Sequence, residues 1–218
     1  MDLTNTYEKA ISESIRNRYE LRETRKAASV IEVTNPLAFG QVIDILSSFQ
    51  LYRDDIIVPG GQESKVAKRL NEAFRTLGWR EGKIDMTVAL RLRLMPYRKA
   101  GERKPLVEET EVLSQGYKVD NVRGRLVCDI EWHAKDGNLD RDVAAYRALY
   151  DSGLIDGAII ITRSFESIRD LSTHLGRPGG FNTTTTTTLE KLEPRLGRGD
   201  GGGCPILAVA ITDRCYAP

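Results

Sequence analysis

Cysteine and histidine are scarce in this 218-residue chain, at three and two residues. The cysteines (Cys128, Cys204, Cys215) are odd in number and follow no ligand spacing. That argues against a disulfide framework or a zinc site and predicts a reducing compartment, with Cys204 and Cys215 as buried small hydrophobes. No window approaches about eighteen consecutive apolar residues, so no membrane span is available. The first thirty residues interleave charges where a leader would need an apolar run, so no secretory signal is expected and a soluble, cytoplasmic protein is. No internal repeat is present, and the low-complexity run Thr183–Thr188 is too short for a linker. Gly197-Arg198-Gly199-Asp200-Gly201 lacks the Gly-Lys-Ser/Thr of a phosphate loop. Net charge is small as well, with 32 Lys+Arg against 31 Asp+Glu.

That balance conceals an uneven distribution. Between Lys65 and Lys104 stand twelve cations and four acids. A cationic stretch on an otherwise neutral protein suits a polyanion, because nucleic-acid affinity comes largely from neutralised phosphates. Solvated helix and strand faces are the alternative. The apolar fraction of 40% supports one substantial domain over residues 1–218.

Periodicity predicts a helix through the first thirty residues (Tyr7, Ile11, Ile15, Tyr19), a short strand at Val30–Val33, and helices over Ala38–Phe49 and Ser64–Leu77. Pro59-Gly60-Gly61 reads as a turn, and Gly78 as the stop of the second of those helices. Thr87–Met95 alternates as a half-buried strand, and Arg98–Pro105 is a loop. Strands at Arg125–Trp132 and Ala158–Thr162 flank a helix at Asp140–Tyr150, a crossover unit that places both strands parallel. Ile206–Ile211 is a last strand. The fold class is α/β, a central mixed β-sheet flanked by helices. Thr187 and Glu190 fit a capping box for a turn at Leu189–Leu192.

The strand at Arg125–Trp132 carries Asp129 and Glu131 two residues apart, hence on one face, with Ile130 and Val127 expected on the other. Asp120 precedes Asp129 by nine positions. Adjacent acids in an apolar strand repel and lose hydration unless a cation sits between them. Mg²⁺ is the natural one, since it takes one or two carboxylates plus water and phosphate oxygens. Ion pairing with Arg123 or Arg125 is the alternative. Glu72 lies on the cationic face of its helix, placed either to pair with Lys68 and Lys65 or to supply a further metal-site acid.

Asp120, eight residues, Asp129, one residue and Glu131, followed by a helix and a buried strand, resembles the catalytic core of type II restriction endonucleases of the PD-(D/E)XK superfamily. The likeness is to the branch containing BamHI, BglII and BstYI, where Glu or Gln replaces the usual Lys at the third position. Gly60–Lys65, Leu70–Phe74, Gly78-Trp79 and the Thr-rich run leading to Gly201–Pro205 resemble that branch too; residues 1–59 add little. Asp129 stands where Glu is expected. A second register makes Glu131 the second acid and His133 the third-position residue.

The resemblance implies a restriction endonuclease-like fold, with N-terminal helices over residues 1–59, a catalytic core over about 60–165 and a DNA-recognition segment over about 166–218. It implies Mg²⁺-dependent cleavage of double-stranded DNA at a palindromic site, leaving 5′-phosphate and 3′-hydroxyl ends. Asp120, Asp129 and Glu131 would be catalytic and hold the metal, with Glu72 as a further acid. Lys65, Thr184, Thr185, Thr186, Arg195 and Arg198 would contact DNA. A homodimer is expected, built on the helices before residue 50 or on Asp140–Tyr150, in a prokaryotic cytoplasm with a cognate DNA methyltransferase. A repair or structure-specific nuclease of the same superfamily, or a non-catalytic DNA-binding module, is the alternative.

Overall fold

The computed structural model describes residues 2–58 and 64–218. The Pro59–Gly61 turn and the Gly60–Glu63 part of the resemblance lie outside them. The N-terminal thirty residues depart from the expected single helix. They form two one-turn helices, α1 (Tyr7–Ala10) and α2 (Glu13–Arg16), then strand β1 (Tyr19–Thr24) and the start of helix α3 (Ala27–Thr34). Tyr19, Leu21 and Glu23 satisfy a two-residue period as well as Tyr7, Ile11, Ile15 and Tyr19 satisfy a four-residue one, and pairing with the sheet decides between them. The fully buried Glu23 carboxylate accepts the Thr6 and Ala28 N–H groups, capping the turns on both sides of β1.

Val30–Val33 belongs to α3 and is not a strand: Ala27, Ala28 and Ile31 bury one helical face, which overrides the β-branched residues' local preference. Helices α4 (Pro36–Ser48) and α5 (Arg53–Ile57) follow. Helix α6 (Lys65–Thr76) stands where its pattern places it: Ser64 Oγ accepts the Ala67 N–H at 3.0 Å, and Val66, Leu70, Asn71 and Phe74 are buried. Gly78 ends it at φ +87°, and an added Cβ there would meet Arg123 Nη1 at 2.5 Å.

Strands β2 (Arg80–Leu94) and β3 (Leu106–Arg123) precede β4 (Leu126–Ile130), helix α7 (Gly137–Asp151), β5 (Gly157–Arg163), helices α8 (Phe165–His174) and α9 (Leu189–Arg198), and β6 (Ile206–Ile211). The sheet order is β1-β6-β5-β4-β3-β2. The β4-α7-β5 crossover is parallel, as is β5–β6, whereas β1–β6 and β3–β4 are antiparallel. Every residue of β5 is buried, as its continuous apolar run requires.

The chain forms two compact units, one of residues up to Glu81 with Val119–Pro218, the other Gly82–Lys118. In the larger unit, Leu126, Cys128 and Ile130 join Ile159, Ile161, Leu207 and Val209 in a core with α3, α4 and α6. The opposite sheet face meets α7 and α9. Val127, expected beside Ile130, shares by alternation the α7 face with Asp129. In the smaller unit the expected half-buried strand is exposed on both faces, Val88, Leu90, Leu92 and Leu94 included. Alternation marks the pleat, not the presence of a covering layer.

Candidate active site

β3 and β4 are antiparallel neighbours through Asn121↔Cys128, so the residues just beyond that pair, Asp120 and Asp129, face each other. The Asp120 N–H donates to Asp129 Oδ1 at 2.7 Å, and the Ile130 N–H donates to Asp120 Oδ2 at 3.2 Å. The next residue along β4's face is Glu131. Its backbone is fixed from three directions: its N–H donates to the Ile161 carbonyl at 2.8 Å, and its own carbonyl accepts Thr162 Oγ1 at 3.0 Å and Thr187 Oγ1 at 2.8 Å. The structure thus brings the three acids of the sequence pattern together at the end of β4.

Helix α7 completes the group with residues the sequence pattern did not single out. Asn138, Asp142 and Tyr146 recur at four-residue spacing and face the strand. Tyr146 donates its hydroxyl to Asp129 Oδ2. Asn138 Nδ2 reaches Glu131 at 3.4 Å, a long contact. Arg141 donates to Asp142 Oδ1 through Nε at 3.0 Å and Nη2 at 2.9 Å, and its Nη2 lies 4.0 Å from Glu131 Oε1. Asp142 Oδ2 is buried without a donor. The available signal was an acid beside Val143 on a helix face otherwise apolar. Glu81, in β2, also raises the negative potential at Asp120.

Asp129, Glu131 and Asp142 are each at least 95% buried, with relative exposures of 4%, 5% and 2%. Burial and then the Asp142 charge push Asp129 up to about 7, against the pull of the Tyr146 and Asp120 donors. Burial and the same neighbour raise Glu131; it lies within hydrogen-bonding reach of the Asp142 carboxyl, which holds only if the two share a proton. Asp120 is raised chiefly by burial. Arg123 donates to the Leu77 carbonyl and Arg125 pairs with Asp156, so neither supplies the compensation considered for Asp129 and Glu131. Four crowded carboxyl groups share mainly Arg141. Hard oxygen donors crowded in a buried, acid-rich setting are the donor chemistry that a hard divalent cation takes, although among the described residues no three of these side chains converge on one point.

The remaining candidates lie elsewhere. Glu72 is exposed and 4.0 Å from Lys68, while the buried Asn71 beside it accepts the Asn121 amide at 2.8 Å. Lys65 pairs with Asp54. Arg195 binds Asp140 through Nε at 2.6 Å and Nη2 at 2.8 Å, and Arg198 pairs with Asp200. The Thr184 carbonyl accepts Lys191 Nζ, the Thr185 carbonyl accepts the Asp136 N–H, and Thr186 Oγ1 accepts Arg163 Nη2 at 3.0 Å. His133 packs edge-on against Phe181, with the Arg163 and Arg177 charges lowering its pKa after burial. The capping box does not form: Thr188, not Thr187, precedes α9, and its side chain makes no cap bond. Glu190 instead accepts the Phe165 N–H at the start of α8. The cysteines are free and buried, and no helix among the described residues is long and apolar enough to cross a membrane.

A protein-family model described as restriction endonuclease BglII/BglIII matches residues 19–211, from the first residue of β1 to the last of β6. The match reaches well upstream of residue 60, where the sequence resemblance faded. No curated protein matches the chain.

Proposed function

The chain belongs to the restriction endonuclease BglII/BglIII family, site-specific deoxyribonucleases, and from that premise we propose that it cuts double-stranded DNA at the Asp120–Asp129–Glu131 site with Mg²⁺. The observation that supports this most is the buried surplus of carboxylates at the end of β4, offset by little besides Arg141. Asp120 and Asp129 would hold the ion, and Glu131 adds an oxygen donor where most of the superfamily carries Lys. The bound ion supplies Lewis-acid stabilisation of charge on the scissile phosphate and acidifies a water.

The chain's own residues prepare that site. Tyr146 and the Asp120 N–H aim the two oxygens of Asp129. Arg141 holds Asp142 against Glu131. Thr162 and Thr187 lock the Glu131 backbone, so its carboxyl pivots only about its side-chain torsions. The products carry 5′-phosphate and 3′-hydroxyl ends. Lys65, Thr184, Thr185, Thr186, Arg195 and Arg198 contact the duplex, which for the two arginines means exchanging Asp140 and Asp200 for phosphate. Cutting both strands of a palindrome calls for two sites related by the DNA dyad, so the working form is a two-fold homodimer. Such an enzyme works in a prokaryotic cytoplasm whose DNA a cognate methyltransferase protects.

Digesting a fully sequenced viral genome with and without Mg²⁺ tests the reading. Discrete bands, end-labelling only after phosphate removal, and no cutting in EDTA are expected. Random nicking, or bands that track DNA structure instead of sequence, would overturn it. Asp129→Ala abolishes cleavage and leaves binding largely intact.

A further inference from the structure

Arg163 ends β5, two residues beyond the Ile161 carbonyl that binds the Glu131 N–H, at the same end of the sheet as the acids but, by alternation, on the opposite face, the one Ile161 shares with the core. It is a fully buried guanidinium, at 0% exposure. Nη2 donates to Thr186 Oγ1 at 3.0 Å, but Nε and Nη1 are sealed from solvent with no acceptor. Two aromatic rings enclose the cation, Phe165 at 5.7 Å and Phe181 at 5.2 Å. Its surroundings are basic: Arg177 lies over the same Phe181 ring at 5.9 Å, and His133 packs on that ring at 4.9 Å. Glu190 is the acid that acts on Arg163, and it is engaged by the Phe165 N–H.

A buried cation with unpaired donors destabilises a fold, and cation–π contact offsets only part of that. The cap over it is itself strained. Phe181 and His133 both sit at φ +58°, a left-handed conformation that a bulky side chain disfavours. The fold therefore holds an anion-seeking group under a strained aromatic lid, at the end of the sheet where the proposed site lies.

We propose that Arg163 is a DNA-phosphate contact stored beneath Phe181 in the free enzyme and delivered when the segment Arg177–Thr186 lifts from the end of β5. This rests on the DNA-cleaving role proposed above. When Thr186 leaves with that segment, Nη2 is released and forms with Nε the fork that a phosphate accepts bidentately. The aromatic cap keeps the guanidinium from binding the protein's own carboxylates in the meantime.

The test measures binding to a duplex containing the sequence that the wild-type protein cuts, in EDTA, over a salt series. Arg163→Met should weaken binding about tenfold and make the log–log salt slope shallower by about 0.9 for each lost phosphate contact. The free variant should melt higher than wild type, because an apolar side chain replaces an unpaired charge. An unchanged affinity and slope would overturn the proposal, whichever way the melting point moves. Phe181→Ala gives an independent check: with a cheaper opening, it should bind DNA more tightly than wild type, and the gain should vanish in the Arg163→Met background. Equal or weaker binding by Phe181→Ala would also overturn it. If wild type itself binds no DNA, the nuclease reading falls; if only the variants' binding fails to change, this proposal alone falls.

Discussion

Replacing Asp129 by Asn should make the metal-free protein more stable while abolishing cleavage. The carboxyl is 4% exposed and lies against Asp120, Glu131 and Asp142. Its pKa moves from the 3.8 of an ordinary Asp to about 7 in the fold, for which burial and the Asp142 charge are the leading causes. By linkage, that difference makes ionised Asp129 cost the folded state about 4 kcal/mol at pH 8. Asn carries no charge, keeps an oxygen for the Asp120 N–H, and can offer its amide to a reoriented Tyr146 hydroxyl. Allowing for imperfect geometry, about 2–4 kcal/mol should be recovered, or roughly 5–15 °C in melting temperature for a chain of this size. The pH course follows from the raised pKa. Wild type carries no penalty below pH 3.8, accumulates it as pH rises toward 7, and holds it beyond. The two proteins should therefore converge near pH 4 and diverge to a plateau above pH 7. Calorimetry in EDTA across that range measures it, and adding Mg²⁺ should raise the wild-type melting point but not the variant's. A variant that melts below wild type at pH 8 in EDTA would refute the claim that buried carboxylate repulsion dominates this site.

Tyr146 is a positioning residue: Tyr146→Phe keeps the packing but removes the donor to Asp129 Oδ2, so cleavage should fall at least about tenfold with the Mg²⁺ requirement moved to higher concentration. An unchanged Mg²⁺ titration would show the hydroxyl to be purely structural. Arg141→Met should destabilise the metal-free protein by about 1–2 kcal/mol, because Asp142 loses both of its guanidinium bonds, and Mg²⁺ should restore much of that loss. Equal melting points with and without the substitution would remove Arg141 from the charge balance. Sedimentation should show a particle of about twice 24.4 kDa, alone or on DNA; a monomer under both conditions would limit the enzyme to successive single-strand cuts. Val33 and Leu37, 78% and 66% exposed on α3 and α4, are apolar surface available to that contact.

The parts of this protein legible in sequence are those whose local pattern and burial agree. Helix α6 has its cap, its apolar stripe and its stopping glycine, and the β4-α7-β5 unit has its crossover spacing, so both stand near their expected bounds. Asp129 and Glu131 are legible because charge in an apolar strand demands compensation, and Asp120 through its spacing from them in the family pattern. The N-terminal segment departs from the expected helix because Tyr7–Thr24 satisfies two periods at once, and only pairing of β1 with β6 chooses between them. Asp142 and Tyr146 were hidden for a different reason: their chemistry comes from facing β4 across the sheet surface, a relation that chain spacing does not encode. The same holds for Arg163, which reads as an ordinary cation after an apolar run. Its unpaired burial under Phe181 arises from a segment eighteen positions away folding back over the end of β5. Local periodicity sets elements, because it depends on neighbours along the chain. Charge compensation and strain depend on neighbours in space, and tertiary packing alone supplies those.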